Sequence, residues 1–238
     1  MSAGYLLGAY WSARQEALAD CAGRLHPFLR DLTKCGGVLS KWYKRGWSRD
    51  DALKSEIDVS DMMTSTTLLE EGRNRRDADN EVIPELGFRV GLWNGGTDGL
   101  DVGLGVTCGL YYGVSQAGLH SLSNCVTMHF SEGLGDLSDA DRMRRLLAAV
   151  AQCWKPDWAG IMSNQAMDKR SFTASIPFVD WMTYIPWEIG PVEPPASVTI
   201  LPNGGSIVVV QPCPPSSDDR EAVIRIGRIS DHILQSAA

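Results

Sequence analysis

Hydrophobic and polar positions at the N-terminus predict a strand followed by a helix. The aromatic and aliphatic run Tyr5–Trp11 is typical of a strand. Apolar residues then recur at helical spacing across Leu18–Leu32. Ser12 and Gln15 form a capping-box pattern, which predicts that the helix begins at Ser12. Pro27 is expected to kink or interrupt it, because proline removes a backbone donor and crowds the preceding turn.

Two short helices are predicted next, and then the pattern changes to strands. Ser48 is expected to begin the first helix, with Asp51 completing its cap, and the second is expected over Ser60–Glu71. From Phe88 onward, apolar and small residues alternate between turn signals. Asn94-Gly95-Gly96 has the residue types that a tight hairpin turn with positive φ requires. This stretch therefore predicts a meandering antiparallel sheet.

The C-terminal half is also predicted to contain both helices and hairpins. Ser138 and Asp141 are expected to cap a third clear helix, which Pro156 ends. A hairpin is predicted around Asn203-Gly204, and a last helix over Asp218–Leu234. The positions of the last helix predicted to face inward are Ala222, Val223, Ile226, Ile229 and Ile233.

These elements together predict an α+β fold. We expect a largely antiparallel central sheet flanked by helices, with the N-terminal strand and helix and the C-terminal helix packing on it. The 238 residues are interpreted as one domain, 1–238. A subdomain break near 72–86 is the alternative, because residues 72–81 are polar and charged and form the best candidate for a mobile loop.

Charge and cysteine content narrow the function classes. The chain has 29 acidic and 22 basic residues and a net charge of −7. This balance disfavours nucleic-acid binding. An acidic surface suits soluble proteins in general and also suits a basic protein partner, and the sequence alone does not separate these two interpretations. The six cysteines form no C-x-x-C pair, so they are expected to be reduced. No signal peptide and no apolar run of about 18 residues is apparent, which predicts a cytoplasmic protein.

No assembled catalytic or metal-binding motif is present in the sequence. The four histidines are widely separated and lack metal-ligand spacing, so no metal and no cofactor is expected. The stretch GVSQAG is one residue too long for a nucleophile elbow. The chain is therefore interpreted as a binding protein without enzymatic activity. The alternative is a small cytosolic hydrolase or transferase whose site is assembled from scattered residues such as His129, Asp180 and Ser163.

Three stretches carry a resemblance to a known family: GAYWSARQEALADCAGRLHPFLRDL, LSKWYKRGWSRDDAL and GFRVGLWNGG. Together they resemble the immunity protein 52 family, whose members are encoded beside toxins of bacterial polymorphic toxin systems, including type VI secretion effectors. The resemblance implies a cytosolic antitoxin that binds and neutralises one cognate toxin. It further implies a nuclease toxin with a restriction-endonuclease-like domain that is basic around its active site. It supplies no catalytic residues.

Acidic side chains are expected to pair with basic groups of the toxin's cleft, and one or two aromatic residues to anchor the contact. Trp47 and Trp187 are the tryptophans expected to be exposed. The predicted toxin-binding residues are Glu70, Glu71, Asp77, Asp79, Glu81, Asp98, Asp101, Trp187 and Glu188. Inhibition by blocking substrate entry and inhibition by distorting the toxin or its assembly are both open.

Overall fold

The structure is a computed structural model that describes residues 4–96, 100–110, 124–131, 133–216 and 218–236. The chain forms two compact units. The first unit comprises Met1–Ala9 and His129–Ala238, and the second comprises Tyr10–Met128. Residues 72–86, where the sequence suggests a break, lie within the second unit.

The described residues contain six α-helices and nine strands. The helices are α1 Leu18–Cys35, α2 Arg49–Ala52, α3 Met62–Glu71, α4 Ala140–Trp154, α5 Asn164–Lys169 and α6 Arg220–Ser236. The strands are β1 Tyr5–Trp11, β2 Tyr43–Lys44, β3 Phe88–Trp93, β4 Val102–Cys108, β5 Asn124–Phe130, β6 Trp158–Ser163, β7 Met182–Ile185, β8 Ser197–Ile200 and β9 Ser206–Val209. Every pairing whose register is described is antiparallel. The predicted α+β class is therefore confirmed.

In the second unit, strands are hydrogen-bonded in the order β2-β3-β4-β5. Side chains alternate across this sheet, so that Val90 and Leu92 are buried, whereas Arg89 and Gly91 are exposed on the opposite face. Helices α1 and α3 pack together, and α3 contacts β3. The core of this unit thus lies on one face of its sheet, and the other face is accessible to solvent.

The predicted start of the first helix at Ser12 was wrong. Helix α1 begins at Leu18, and the backbone N–H of Ala17 donates to the Asp20 carboxylate at 3.0 Å. The irregular residues before it have tertiary partners instead. The Arg14 guanidinium lies 5.2 Å from the Trp11 ring centroid, and Glu16 forms an ion pair at 2.8 Å with an arginine of α1. Helix α1 also continues through Pro27, because its apolar face is fully buried on both sides of the proline.

In the first unit, strands follow the order β1-β6-β7-β9-β8, and α4 packs on β6, β7 and β9. The hairpin at Asn203-Gly204 is confirmed, with Ile200 paired to Ser206. The cap of α4 is Asp139, one residue after the predicted Ser138, and its carboxylate accepts from the Arg142 N–H at 2.8 Å.

Helix α6 confirms the predicted last helix and most of its inward face. Its buried positions are Ala222, Ile226, Ile229 and Ile233, which repeat every three or four residues. Val223 was predicted to face inward but is 47% exposed, because it lies one residue beyond that stripe. The six cysteines are free. None of the helices in the described ranges is long and apolar enough to cross a membrane.

Candidate interaction surface

The predicted acidic contacts at residues 70–81, here called the acidic segment, lie at the end of α3 and in the turn that follows. The turn is closed by backbone hydrogen bonds. The Arg76 N–H donates to the Glu81 carbonyl at 2.8 Å, and the Ile83 N–H donates to the Asn74 carbonyl at 2.8 Å. Arg75 and Val82 also form an isolated antiparallel bridge. The acidic segment therefore ends in a compact turn that is closed by hydrogen bonds within the second unit.

Most carboxylates of the acidic segment have a basic partner nearby. Glu70 pairs with Arg73 at 2.8 Å, and Asp79 pairs with Arg76 at 3.0 Å. Glu71 forms an ion pair with Lys44 of β2. Five carboxylates against three arginines leave a net charge of −2 within residues 70–81. The structure therefore brings the five predicted residues together on the surface, but in a region whose charge is largely offset.

The other predicted contacts are dispersed. Asp98 lies outside the described residues. Asp101 accepts a hydrogen bond from the Trp93 indole N–H. Trp187, which was predicted to be exposed, is instead half-buried against the core of the first unit. It donates its indole N–H to the Ser236 hydroxyl at 3.1 Å. Glu188 is exposed.

Trp47 is the tryptophan that the structure leaves in solvent, with a relative exposure of 103%. Its backbone is nevertheless held, since the Trp47 N–H donates to Asp51 Oδ2 at 3.3 Å. Ser48 caps α2 by accepting from the Asp51 N–H at 3.2 Å, as predicted. At Gly46, a methyl group would lie 2.6 Å from the backbone nitrogen of Ala52. A fixed turn therefore presents an unburied indole.

Two arginines flank Trp47 and lie over the accessible sheet face. A methyl group at Gly91 would lie 3.5 Å from Arg45 Nε, and one at Gly103 would lie 3.5 Å from Arg45 Nη2. The Arg49 guanidinium lies 5.8 Å from the Trp93 ring centroid. We define the aromatic–arginine patch as Arg45, Trp47, Arg49 and Trp93. In the part of the chain that the structure describes, neither arginine of the patch forms an ion pair with a carboxylate.

A buried asparagine supports this patch. The Asn94 side-chain amide donates to the carbonyls of Val38 at 3.0 Å and Leu100 at 2.9 Å. Its Oδ1 accepts from the Val102 N–H at 2.9 Å and the Gly96 N–H at 3.1 Å. Gly95 and Gly96 have the expected positive φ values, 79° and 64°, but Trp93 pairs with Gly103, so the connection is longer than a tight two-residue turn.

Two of the three residues proposed for an enzyme site meet in the first unit. Asp180 accepts from the Ser163 N–H at 2.7 Å and from Arg170 Nη2 at 3.3 Å. Burial raises the pKa of Asp180, against the opposing effect of those partners, and burial also lowers the pKa of Arg170. The Ser163 hydroxyl accepts from the Ala166 N–H and so caps α5. These groups secure the junction of β6 and α5, whereas His129 is exposed on β5.

No set of three His, Cys, Asp or Glu side chains among the described residues is arranged to hold a metal ion. The aromatic–arginine patch was missing from the predicted toxin-binding residues. Its sequence signal is the run KWYKRGW, which precedes the Ser48 cap. The predicted exposure of Trp47 is confirmed.

Comparison with known proteins places the chain among immunity proteins, which act against a toxin. The model of the immunity protein 52 family matches residues 3–224, nearly the whole chain, and the chain belongs to this family. The resemblance seen in the sequence is thereby confirmed. No curated protein matches the chain.

Proposed function

We propose that this immunity protein binds one cognate toxin, that the toxin is a nuclease, and that the complex forms in the cytoplasm of the cell that produces both. Delivery of the toxin by a type VI secretion system belongs to the same proposal. The family match over residues 3–224 is the observation that carries it. The net charge of −7 supports a basic partner such as a nucleic-acid-cleaving domain. Inhibition then requires only binding, and no bond is made or broken.

The acidic segment is proposed as one contact with this basic partner. Its carboxylates are exposed and mostly paired, so each is expected to contribute little to final affinity. Exposed charges still steer the encounter of two proteins and accelerate association. The remaining predicted contacts, Asp98, Asp101, Trp187 and Glu188, are proposed as separate positions to be tested one at a time.

Co-expression with the reading frame beside this chain's gene tests the proposal. The neighbouring product alone is expected to arrest growth and to fragment nucleic acid. Co-expression of this chain is expected to restore growth, and the two proteins are expected to co-purify. Continued arrest in the presence of abundant folded chain would contradict the immunity function. Arrest without nucleic-acid cleavage would contradict only the nuclease assignment.

A further inference from the structure

The most unusual surface feature of the second unit is the exposure of Trp47. Other tryptophans, such as Trp11, Trp42, Trp154 and Trp181, are almost fully buried, so this chain readily places indoles in its cores. Trp47 is instead presented by a turn that Gly46 permits and that Asp51 and the Ser48 cap hold in place. Because the backbone that carries Trp47 is already held, it loses little conformational entropy on binding. Tryptophan is also enriched among residues that dominate interface energetics.

The surroundings of Trp47 define the chemistry of a partner. Arg45 and Arg49 carry positive charges that no carboxylate in the described ranges neutralises through an ion pair. The guanidinium group binds carboxylates through two parallel hydrogen bonds. Asp101 is held on the Trp93 indole at one end of this surface. The arginines therefore favour a partner segment that carries carboxylates.

The sheet face beneath Arg45 carries glycines and is covered by that exposed side chain. Gly91 is paired with Gly105, and Gly103 is paired with Trp93, so this face carries glycines on both strands. Glycines allow the backbone of another chain to approach closely. Arg45 is the described side chain that lies over Gly91 and Gly103.

We infer that the aromatic–arginine patch is a docking surface for an acidic segment of the cognate toxin, with Trp47 inserted into the toxin as the anchor. This inference rests on the proposed function, and it adds a basic contact to a protein whose net charge is negative. The Lys44–Glu71 ion pair joins the strand beside the patch to the acidic segment. A toxin with both basic and acidic groups can therefore engage the two regions through complementary charges.

Two other occupants fit the surface less well. A second copy of the chain in a symmetric dimer would bring Arg45 and Arg49 towards the same arginines of its partner, and like charges oppose such contact. Nucleic acid would meet the exposed carboxylates of the acidic segment close to the patch, because Glu71 is paired with Lys44.

The test uses the full chain and the purified product of the neighbouring reading frame. Trp47→Ala is expected to weaken the dissociation constant by about 30-fold or more, mainly through faster dissociation. Arg45→Glu is expected to weaken it by about tenfold or more, with a larger effect at low salt. The matched controls are Ile176→Ala, an apolar residue that is 58% exposed in the first unit, and Arg145→Glu, an exposed charge reversal there. Both controls are expected to bind within about threefold of the original chain.

Each outcome decides a different question. If the original chain does not bind the neighbouring product, the proposed function fails. If it binds, and both Trp47→Ala and Arg45→Glu bind within threefold of it, the docking inference fails. Loss of the folded state in Trp47→Ala would leave Arg45→Glu to decide, with thermal unfolding as the check on both. If sedimentation shows a dimer of the original chain that Trp47→Ala dissociates, the occupant is a second copy and the inference is wrong.

Intrinsic fluorescence supplies a readout at the anchor itself. Burial of Trp47 in the toxin is expected to shift its emission to shorter wavelength, and the shift is the part of the signal that is lost in Trp47→Ala. A complex that forms without this component would contradict the anchoring role of Trp47.

Discussion

The acidic segment and the aromatic–arginine patch belong to the same unit but differ in whether their charged side chains form ion pairs. In the acidic segment, Glu70 and Asp79 each face an arginine three residues away in sequence. In the patch, Arg45 lies on glycines and Arg49 lies on an indole, and no ion pair is formed by either within the described ranges. A run of charged residues in a sequence therefore does not by itself identify a charged surface, because neighbouring opposite charges offset one another.

The two regions are expected to have different kinetic roles. Exposed, partly paired carboxylates attract a basic partner before the two proteins touch, and so they affect the rate of association. An aromatic side chain that becomes buried in the complex contributes after contact and affects the rate of dissociation. Variants that damage one region and spare the other can separate these roles.

The largest effect is expected from Asn94→Ala, which removes the support of the patch. The substitution leaves the Val38 and Leu100 carbonyls and the Val102 N–H without their side-chain partner in a buried site. Unsatisfied buried groups of this kind are costly, and we expect a loss of about 3 kcal/mol or more in the free energy of unfolding. Urea unfolding followed by circular dichroism measures it.

The chain contains a matched control in the same Asn-Gly-Gly tripeptide. Asn203 is exposed, and its side chain bonds only the Gly205 N–H and the Tyr184 hydroxyl among the described groups. Asn203→Ala is therefore expected to cost about 1 kcal/mol or less. Equal losses for the two variants would show that Asn94 does not have a special supporting role.

A smaller effect is expected from neutralising the turn of the acidic segment. The triple variant Asp77→Asn, Asp79→Asn and Glu81→Gln removes three exposed charges and leaves the aromatic–arginine patch intact. We expect association with the toxin to slow by about tenfold at low salt, with little change in dissociation. Stopped-flow measurements at two salt concentrations distinguish the rates. An unchanged association rate would remove Asp77, Asp79 and Glu81 from the proposed interface.

The sequence predicted the secondary structure well where periodicity is strong. Helix α6 and the hairpin at Asn203 follow directly from apolar spacing and turn chemistry. The prediction that the first helix begins at Ser12 was wrong because a capping pattern depends only on local sequence. In the structure, Arg14 packs on Trp11 and Glu16 pairs with Arg24, and these tertiary contacts replace a first helical turn.

The candidate surface was harder to predict for a related reason. Exposure of Trp47 could be predicted because Gly46 and the Ser48 cap are adjacent in sequence. The positions of Arg45 over Gly91 and Gly103 depend on strand pairing between distant segments. Burial of Asn94 likewise depends on Val38, which is far away in sequence. Such long-range contacts produce no local pattern in the sequence, so the patch could be identified only from the folded structure.

The smallest effect is expected at the ion pair that joins the two regions. Lys44 and Glu71 are both substantially exposed, so solvent screens their attraction and the ordering of two flexible side chains offsets part of the gain. Glu71→Gln is therefore expected to lower the free energy of unfolding by about 0.5 kcal/mol or less, and to change toxin affinity by less than about twofold. Urea unfolding and calorimetric titration measure the two quantities. A tenfold loss of affinity with unchanged stability would instead show that Glu71 contributes strongly to the bound complex, and the two regions would then act as one continuous binding surface.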